Sequence, residues 1–321
     1  MKKLIGIAAL LVVIAAVTAV LSYDETSGSY TFLSAYNLEN LLRRVGMFGV
    51  LSIAAAFVIV TGGIDLSIGA VVCVAGCVLP WLLRDCGLPA VVALPLVLGL
   101  CAAIGLWHGL LVVGLGLQPF VVTLCGLLLY RGLMRAFTGD QTMGLGDAGE
   151  GLRWLATGKV PITSDFGLPA PLCVLVLVAL VTGVLWQKTV WGRHLFALGR
   201  NEEAARFAGV STGRLTALAY VACSLLAGLG GCLFVLDVNS AQASSFGNFY
   251  ELYAIAGAAD RAPPHSLLLT GVVFNAFASS LIVFVTTAVD LSRVASVFLW
   301  LIGSIRLVDA GAIAVVAIVA V

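Results

Sequence analysis

Apolar runs about twenty residues long, broken by short polar stretches, take up most of this chain of 321 residues. A run of that length crosses ~30 Å of hydrocarbon as a helix rising ~1.5 Å per residue. After an amphipathic lead-in, Asn37–Arg44, one run ends near Thr61. Others cover 4–21, 66–83, 90–113, 119–138, 168–187, 214–236, 250–259, 266–289 and 294–319. The pattern predicts an all-α polytopic transmembrane bundle of about ten spans in a single domain, 1–321. Composition agrees, because 61% of residues are hydrophobic and only 10% are charged. So few charges cannot coat a globule this size, which excludes a soluble enzyme and a disordered chain. The solvent is a lipid bilayer. A formal charge of +1 supplies no field to attract nucleic acid. The 36 glycines suit helices packed with their backbones close together.

Charge placement sets the orientation. Lys2 and Lys3 precede the first run and Asp24 and Glu25 follow it, so the N-terminus is expected in the cytoplasm. The start resembles a secretory signal peptide, but further spans follow and no convincing cleavage site does, so it is read as an uncleaved first helix. Ser22 to Tyr36 is then external, as is the glycine-rich connection Thr138 to Gly167. Counting spans puts the loop Lys188 to Arg214 inside. That loop carries Lys188, Arg193, Arg200, Arg206 and Arg214 against Glu202 and Glu203, and is the most basic in the chain. The run 250–259 is too short to cross unaided.

Clustered catalytic chemistry is missing. His108, His194 and His265 are isolated, and no Gly-x-x-x-x-Gly-Lys-Ser/Thr loop is present to bind ATP. Eight cysteines are scattered, all but Cys86 within apolar runs, and read as small apolar filler with no metal-ligand spacing. No catalytic residue and no metal site is expected.

Three stretches say more. In the basic loop, Asn201 is a good N-cap, Glu202 and Glu203 suit the positive end of a helix dipole, and Gly209 is a natural stop. Between them Ala204, Ala205 and Ala208 leave a low profile beside Arg206. Such a helix can lie in a groove on another protein, or can anchor its loop at the lipid surface. The second stretch, Val60 to Gly69, joins two apolar runs. Gly62 and Gly63 break a helix, while Asp65 and Ser67 can cap the next. It is either a broken helix lining a substrate path, since an acid at membrane depth needs a cavity or a partner, or a capped turn at the cytoplasmic face. The third runs from Gln118 to Gly132, with Pro119 at a first helical turn and Arg131 and Arg135 expected to snorkel to the outer interface. Ser240–Gln242 reads as a short external polar segment.

The ordered set Asn37–Arg44, Thr61-Gly62-Gly63-Ile64-Asp65-Leu66-Ser67-Ile68-Gly69, Pro119–Leu124, Tyr130-Arg131-Gly132 and Gly199–Gly209 resembles the membrane subunits of bacterial ABC importers for monosaccharides, nearest to ribose-type permeases. Glu203-Ala204-Ala205 with Gly209 four residues on matches their Glu-Ala-Ala-x-x-x-Gly loop. The likeness covers about 37–257. It implies a permease subunit in the bacterial inner membrane that is not itself an enzyme. Asn201, Glu202, Glu203, Ala204, Ala205, Arg206 and Gly209 would dock on a separate ABC ATPase, which binds the ATP and Mg; this chain holds no cofactor. Gly62, Gly63, Asp65 and Ser67 would serve a gate or the substrate path. A periplasmic or extracellular sugar-binding protein and a second permease copy, identical or not, complete the partners.

The resemblance weakens after Gly257. Such permeases continue into a glycine-rich cytoplasmic loop, where this chain reads Ala258-Ala259-Asp260-Arg261-Ala262-Pro263-Pro264-His265. Residues 258–321 are therefore atypical, through divergence, truncation or a shifted frame. One rival from another class is an ion-coupled transporter or channel with Asp65 as the ion site. A branched-chain amino acid permease is the rival within the superfamily.

Overall fold

The protein is described by a computed structural model over residues 2–24, 29–163 and 166–258. Its helices are α1 (Lys2–Leu21), α2 (Ala35–Val60), α3 (Ile68–Pro80), α4 (Ala90–Gly114), α5 (Pro119–Thr138), α6 (Glu150–Thr157), α7 (Ala170–Lys188), α8 (Val190–Arg200), α9 (Glu202–Phe207), α10 (Thr212–Val238) and α11 (Tyr250–Ala258). A wider π turn over Trp81–Asp85 extends α3. Among the described residues six helices are long and apolar enough to cross a membrane: α2, extended α3, α4, α5, α7 and α10.

Local chemistry sets the ends. Ser34 caps α2, its hydroxyl accepting the Asn37 N–H at 3.2 Å. Pro119 opens α5, where its missing N–H costs nothing, and Gly139 closes it at φ +60°. Pro80 lies inside α3, and the helix widens to π geometry immediately after it. The predicted spans in the described region agree with these helices to within about two residues. The spans expected over 266–289 and 294–319, and the atypical segment from 259, lie outside the described residues.

The six long helices fall into two groups. In α2 and α3, 78% of the most apolar window is buried, and in α10 61%; in α4 and α5 the share is 22%, and in α7 28%. The first three form the centre, and the others present Leu and Val outward to lipid or to a partner. Lipid competes with apolar side chains for contact, so the bundle depends on close packing. Gly105 and Gly109 show how α4 achieves it. A Cβ on Gly109 would fall 2.6 Å from Ala217 Cα, and one on Gly105 would fall 2.7 Å from Val221 Cα, so α4 and α10 touch backbone to backbone. Elsewhere Phe48, Phe234, Tyr250 and Tyr253 pack edge to face or tilted, joining α2, α10 and α11.

The two ends of the bundle differ. At the hairpin end, β3 (Thr142–Gly144) pairs antiparallel with β6 (Ser240–Gln242), and β4 (Lys159–Pro161) with β5 (Gly167–Pro169). Strands β1 (Tyr23–Asp24) and β2 (Ser29–Tyr30) make a third small ribbon. Lys159 Nζ donates to both oxygens of Glu39 at the start of α2, at 2.9 and 3.1 Å. Gly167 N–H donates to the same carboxylate at 2.8 Å. The glycine-rich connection is thus folded, with α6 inside it and Glu39 stapling it to α2. The opposite end carries α8 and α9.

Candidate functional site

Helix α9 has the predicted caps. Asn201 Oδ1 accepts the Ala204 N–H at 2.9 Å, and Glu202 and Glu203 lie in the first turn. Gly209 adopts φ +82°, and the Val210 N–H closes the helix on Ala205 O at 3.0 Å. Ala205 alone is buried; Asn201, Glu202, Glu203, Ala204, Arg206 and Gly209 are exposed. Phe207, which sequence reasoning passed over, is 85% exposed. Its signal was available, as the one aromatic in an alanine-rich polar helix.

Charge distinguishes this end from the other. All five ion pairs among the described residues lie toward the hairpin end: Arg43 and Arg44 with Asp237, Arg84 with Asp85, Arg135 with Asp140, and Lys159 with Glu39. Lys188, Arg193, Arg200, Arg206 and Arg214 are exposed and appear in none of these pairs. Among the described residues, then, the positive charge of the α9 end has no acidic partner.

Helix α8 connects α9 to the break between α2 and α3. Gly199 rests directly on the Val60 carbonyl at the end of α2, leaving no room for a Cβ. From there Gly62 turns the chain at φ +84°, and Gly63 passes under Tyr220 Oη. Asp65 is only 2% exposed and sits inside the bundle. Its Oδ1 accepts the Ser67 N–H and hydroxyl, and Cys223 Sγ on α10 donates to Oδ2 at 3.5 Å. Ser67 precedes α3 but makes no side-chain cap bond, so the local capping is done by Asp65. Thr123 of α5 completes the tie, its Oγ1 accepting the Leu66 N–H at 3.1 Å. The structure thus brings Gly62, Gly63, Asp65 and Ser67 into one irregular strip of backbone, entering the bundle between helices. His108 and Tyr130 lie alongside, His108 Nε2 2.9 Å from Tyr130 Oη. Tyr220 Oη, Ser224 Oγ and His108 Nδ1 are buried without partners among the described residues. This strip and α9 are separate sites, linked through α8.

Arg131 differs from expectation. Rather than reaching to the interface, its Nη1 donates to the carbonyls of Ala243 and Phe246 at 3.3 and 3.2 Å. The reason is that the chain beyond β6 does not stay outside but dips back along α3, offering carbonyls closer than water. Arg135, one turn on, does stay exposed and pairs with Asp140. Among the described residues no cluster of three or more metal-ligating side chains is formed.

Against known proteins, the family described as branched-chain amino acid transport system / permease component matches residues 37–302, running past Gly257. The ribose import permease protein of Bacillus subtilis (strain 168) is 34% identical over 227 residues, covering 70% of this chain and 68% of that protein. That of Escherichia coli (strain K12) is 32% identical over 250 residues, 77% of this chain and 73% of its own. The galactofuranose transporter permease protein of Escherichia coli (strain K12) is 35% identical over 217 residues, 67% and 61% respectively. No solved structure matches. The six apolar helices and a family match over most of the chain agree, and the protein belongs to the branched-chain amino acid transport system / permease component family, as a polytopic helical membrane protein.

Proposed function

We propose that this chain is the permease subunit of an ATP-driven ABC importer for a monosaccharide, in the bacterial inner membrane. The observation that carries it is α9: capped at both ends, exposed on every side but Ala205, and bearing an outward Phe207 among cations that have no ion-pair partner among the described residues. Asn201, Glu202, Glu203, Ala204, Ala205, Arg206 and Gly209 form the dock for a separate ATPase, which binds ATP and Mg. Exposed aromatic and arginine side chains are the usual anchors of such contacts.

The α9 end faces the cytoplasm in this reading, its free cations meeting the anionic inner leaflet and the partner. Ten spans with both termini inside remain the proposed topology. Closure of the ATPase pushes α9 and α8, and the strip Gly62, Gly63, Asp65 and Ser67 yields as the gate, a rigid-body switch around a glycine hinge. A sugar-binding protein delivers cargo from outside, and a second permease copy completes the path. The ribose, fructose and galactofuranose permeases among the relatives support a sugar as cargo.

The family description supports a second reading, a branched-chain amino acid as cargo. Reconstitution with the ATPase and binding protein tests both. ATP-dependent uptake of labelled monosaccharide, indifferent to ion gradients and uncompeted by leucine, is expected. Uptake driven by an ion gradient without ATP overturns the ABC reading, and competition by leucine overturns the sugar.

A further inference from the structure

The segment between β6 and α11 is folded backbone inside the bundle. Gly247 lies against Gly69 and Val72 of α3, and Val72 against Gly231 of α10. Gly231 is seven residues inside the Val238 end of α10, about 10 Å along its axis. The segment is held firmly at that depth. Phe246 N–H donates to Gln242 O at 2.8 Å and Asn248 N–H to Ser245 O at 3.1 Å. Arg131 clamps two of its carbonyls, and Cys73 Sγ donates to Ala243 O at 3.6 Å.

Non-helical backbone at membrane depth is tolerated only where it is buried in protein or lines water. Here it does both. Ala243 and Gly247 are buried against α3, while Gln242, Ser245 and Asn248, three residues apart, are exposed. Three polar side chains in a row do not face lipid. Next to them Phe249 is 64% exposed and held at φ +64°, a left-handed conformation unusual for an aromatic residue. Glu251 follows. It is 8% exposed, and its Oε2 is without a partner among the described residues while abutting Gly69, near the first turn of α3.

We propose that Gln242–Phe249 is the wall of the transport path that reads the sugar. Gln242, Ser245 and Asn248 meet cargo hydroxyls, Phe249 offers its ring to the apolar C–H face, and Glu251 stands behind as an acceptor. This rests on the permease reading above and names the residues that touch its cargo. The chemistry fits a neutral polyol, since amides and a hydroxyl both donate and accept.

Single substitutions Ser245→Cys and Asn248→Cys in the full chain, in membrane vesicles, test the wall by labelling with a membrane-impermeant methanethiosulfonate, measured above the parent's own cysteines. Both are expected to label, and millimolar ribose or the sugar transported best is expected to slow labelling several-fold. Leu128→Cys, on the apolar outer face of α5, is expected not to label. In uptake assays Asn248→Ala and Phe249→Gly are expected to raise KM about tenfold, the loss of one good contact. Glycine accepts the positive φ, so this change removes the ring without damaging the backbone. Phe249→Trp, which keeps an aromatic face, is expected to leave KM near the parent's. Labelling no faster than Leu128→Cys places the segment against lipid or the second copy and overturns the proposal. Labelling that no sugar slows, with KM unchanged, overturns it too and leaves the permease reading intact. A parent complex that moves no monosaccharide overturns that reading and this one together.

Discussion

Asp65 and Ser67 are joined twice: one carboxylate oxygen takes the Ser67 backbone N–H at 2.7 Å and its hydroxyl at 2.6 Å. The pair fixes the entry of α3 within the bundle, where a lost acceptor is not replaced by water. Asparagine keeps one oxygen for the Ser67 N–H, whereas leucine strands buried donors at about 1–3 kcal/mol each. Asp65→Asn is expected to slow transport, and Asp65→Leu to slow it further and reduce the yield of folded protein. Neither is expected to change which sugar is preferred. Initial uptake rates over a set of pentoses and hexoses check this, and a changed preference moves Asp65 onto the sugar's path.

Helix α9 gives the second prediction. Glu203→Lys reverses a charge at the positive end of the dipole, and Gly209→Pro forbids the φ of +82° while removing an N–H that donates to Arg206 O. Both variants are expected in the membrane at parental levels, with ATP hydrolysis no longer matched by uptake. Parental transport in both refutes the docking role.

At the hairpin end, Glu39→Ala removes the acceptor shared by Lys159 and the Gly167 N–H. The connection between α5 and α7 is expected to loosen, and limited chymotryptic cleavage at its aromatic residues, Trp154 and Phe166, to quicken several-fold. Lys159→Met should do less, because the Gly167 bond survives and this lysine is half exposed. Equal cleavage in parent and Glu39→Ala rules out the staple.

Asp140 gives a prediction in pH. The Arg135 side chain bonds its carboxylate and holds the carboxyl below the ordinary value. The unfolded chain then binds the proton more readily than the folded one. The pair's contribution is therefore full above the unfolded value of about 3.9 and is lost as pH falls through the lower folded value. Both groups are well exposed, so the effect is small. Asp140→Asn, which tolerates the positive φ at this position, should lower Tm slightly at pH 7 and by progressively less as pH falls below about 3.9.

What the sequence revealed follows from what hydrocarbon demands. The apolar runs 90–113 and 119–138, the second opened by Pro119, marked α4 and α5 because lipid-facing helices need nothing but length and apolarity. The caps of α9 were legible for the same local reason. The route of the chain after Ser240 was not. Ala243, Phe246 and Gly247 look like any exposed loop in sequence, and only the distant partners Cys73, Arg131 and Gly69 show that this backbone lies inside. The burial of Asp65 was ambiguous likewise, since Cys223 and Thr123 lie far along the chain.

Gly199 standing on the Val60 carbonyl has a mechanical meaning. Side chains between two helices act as springs, since a rotamer change absorbs a shift of an ångström before the neighbour feels it. Backbone on backbone has no such slack. A displacement of α8 reaches Thr61 and the glycines after it undiminished, so in the proposed mechanism the stroke delivered at one face of the membrane and the opening at its middle become two ends of a rod rather than a message passed along.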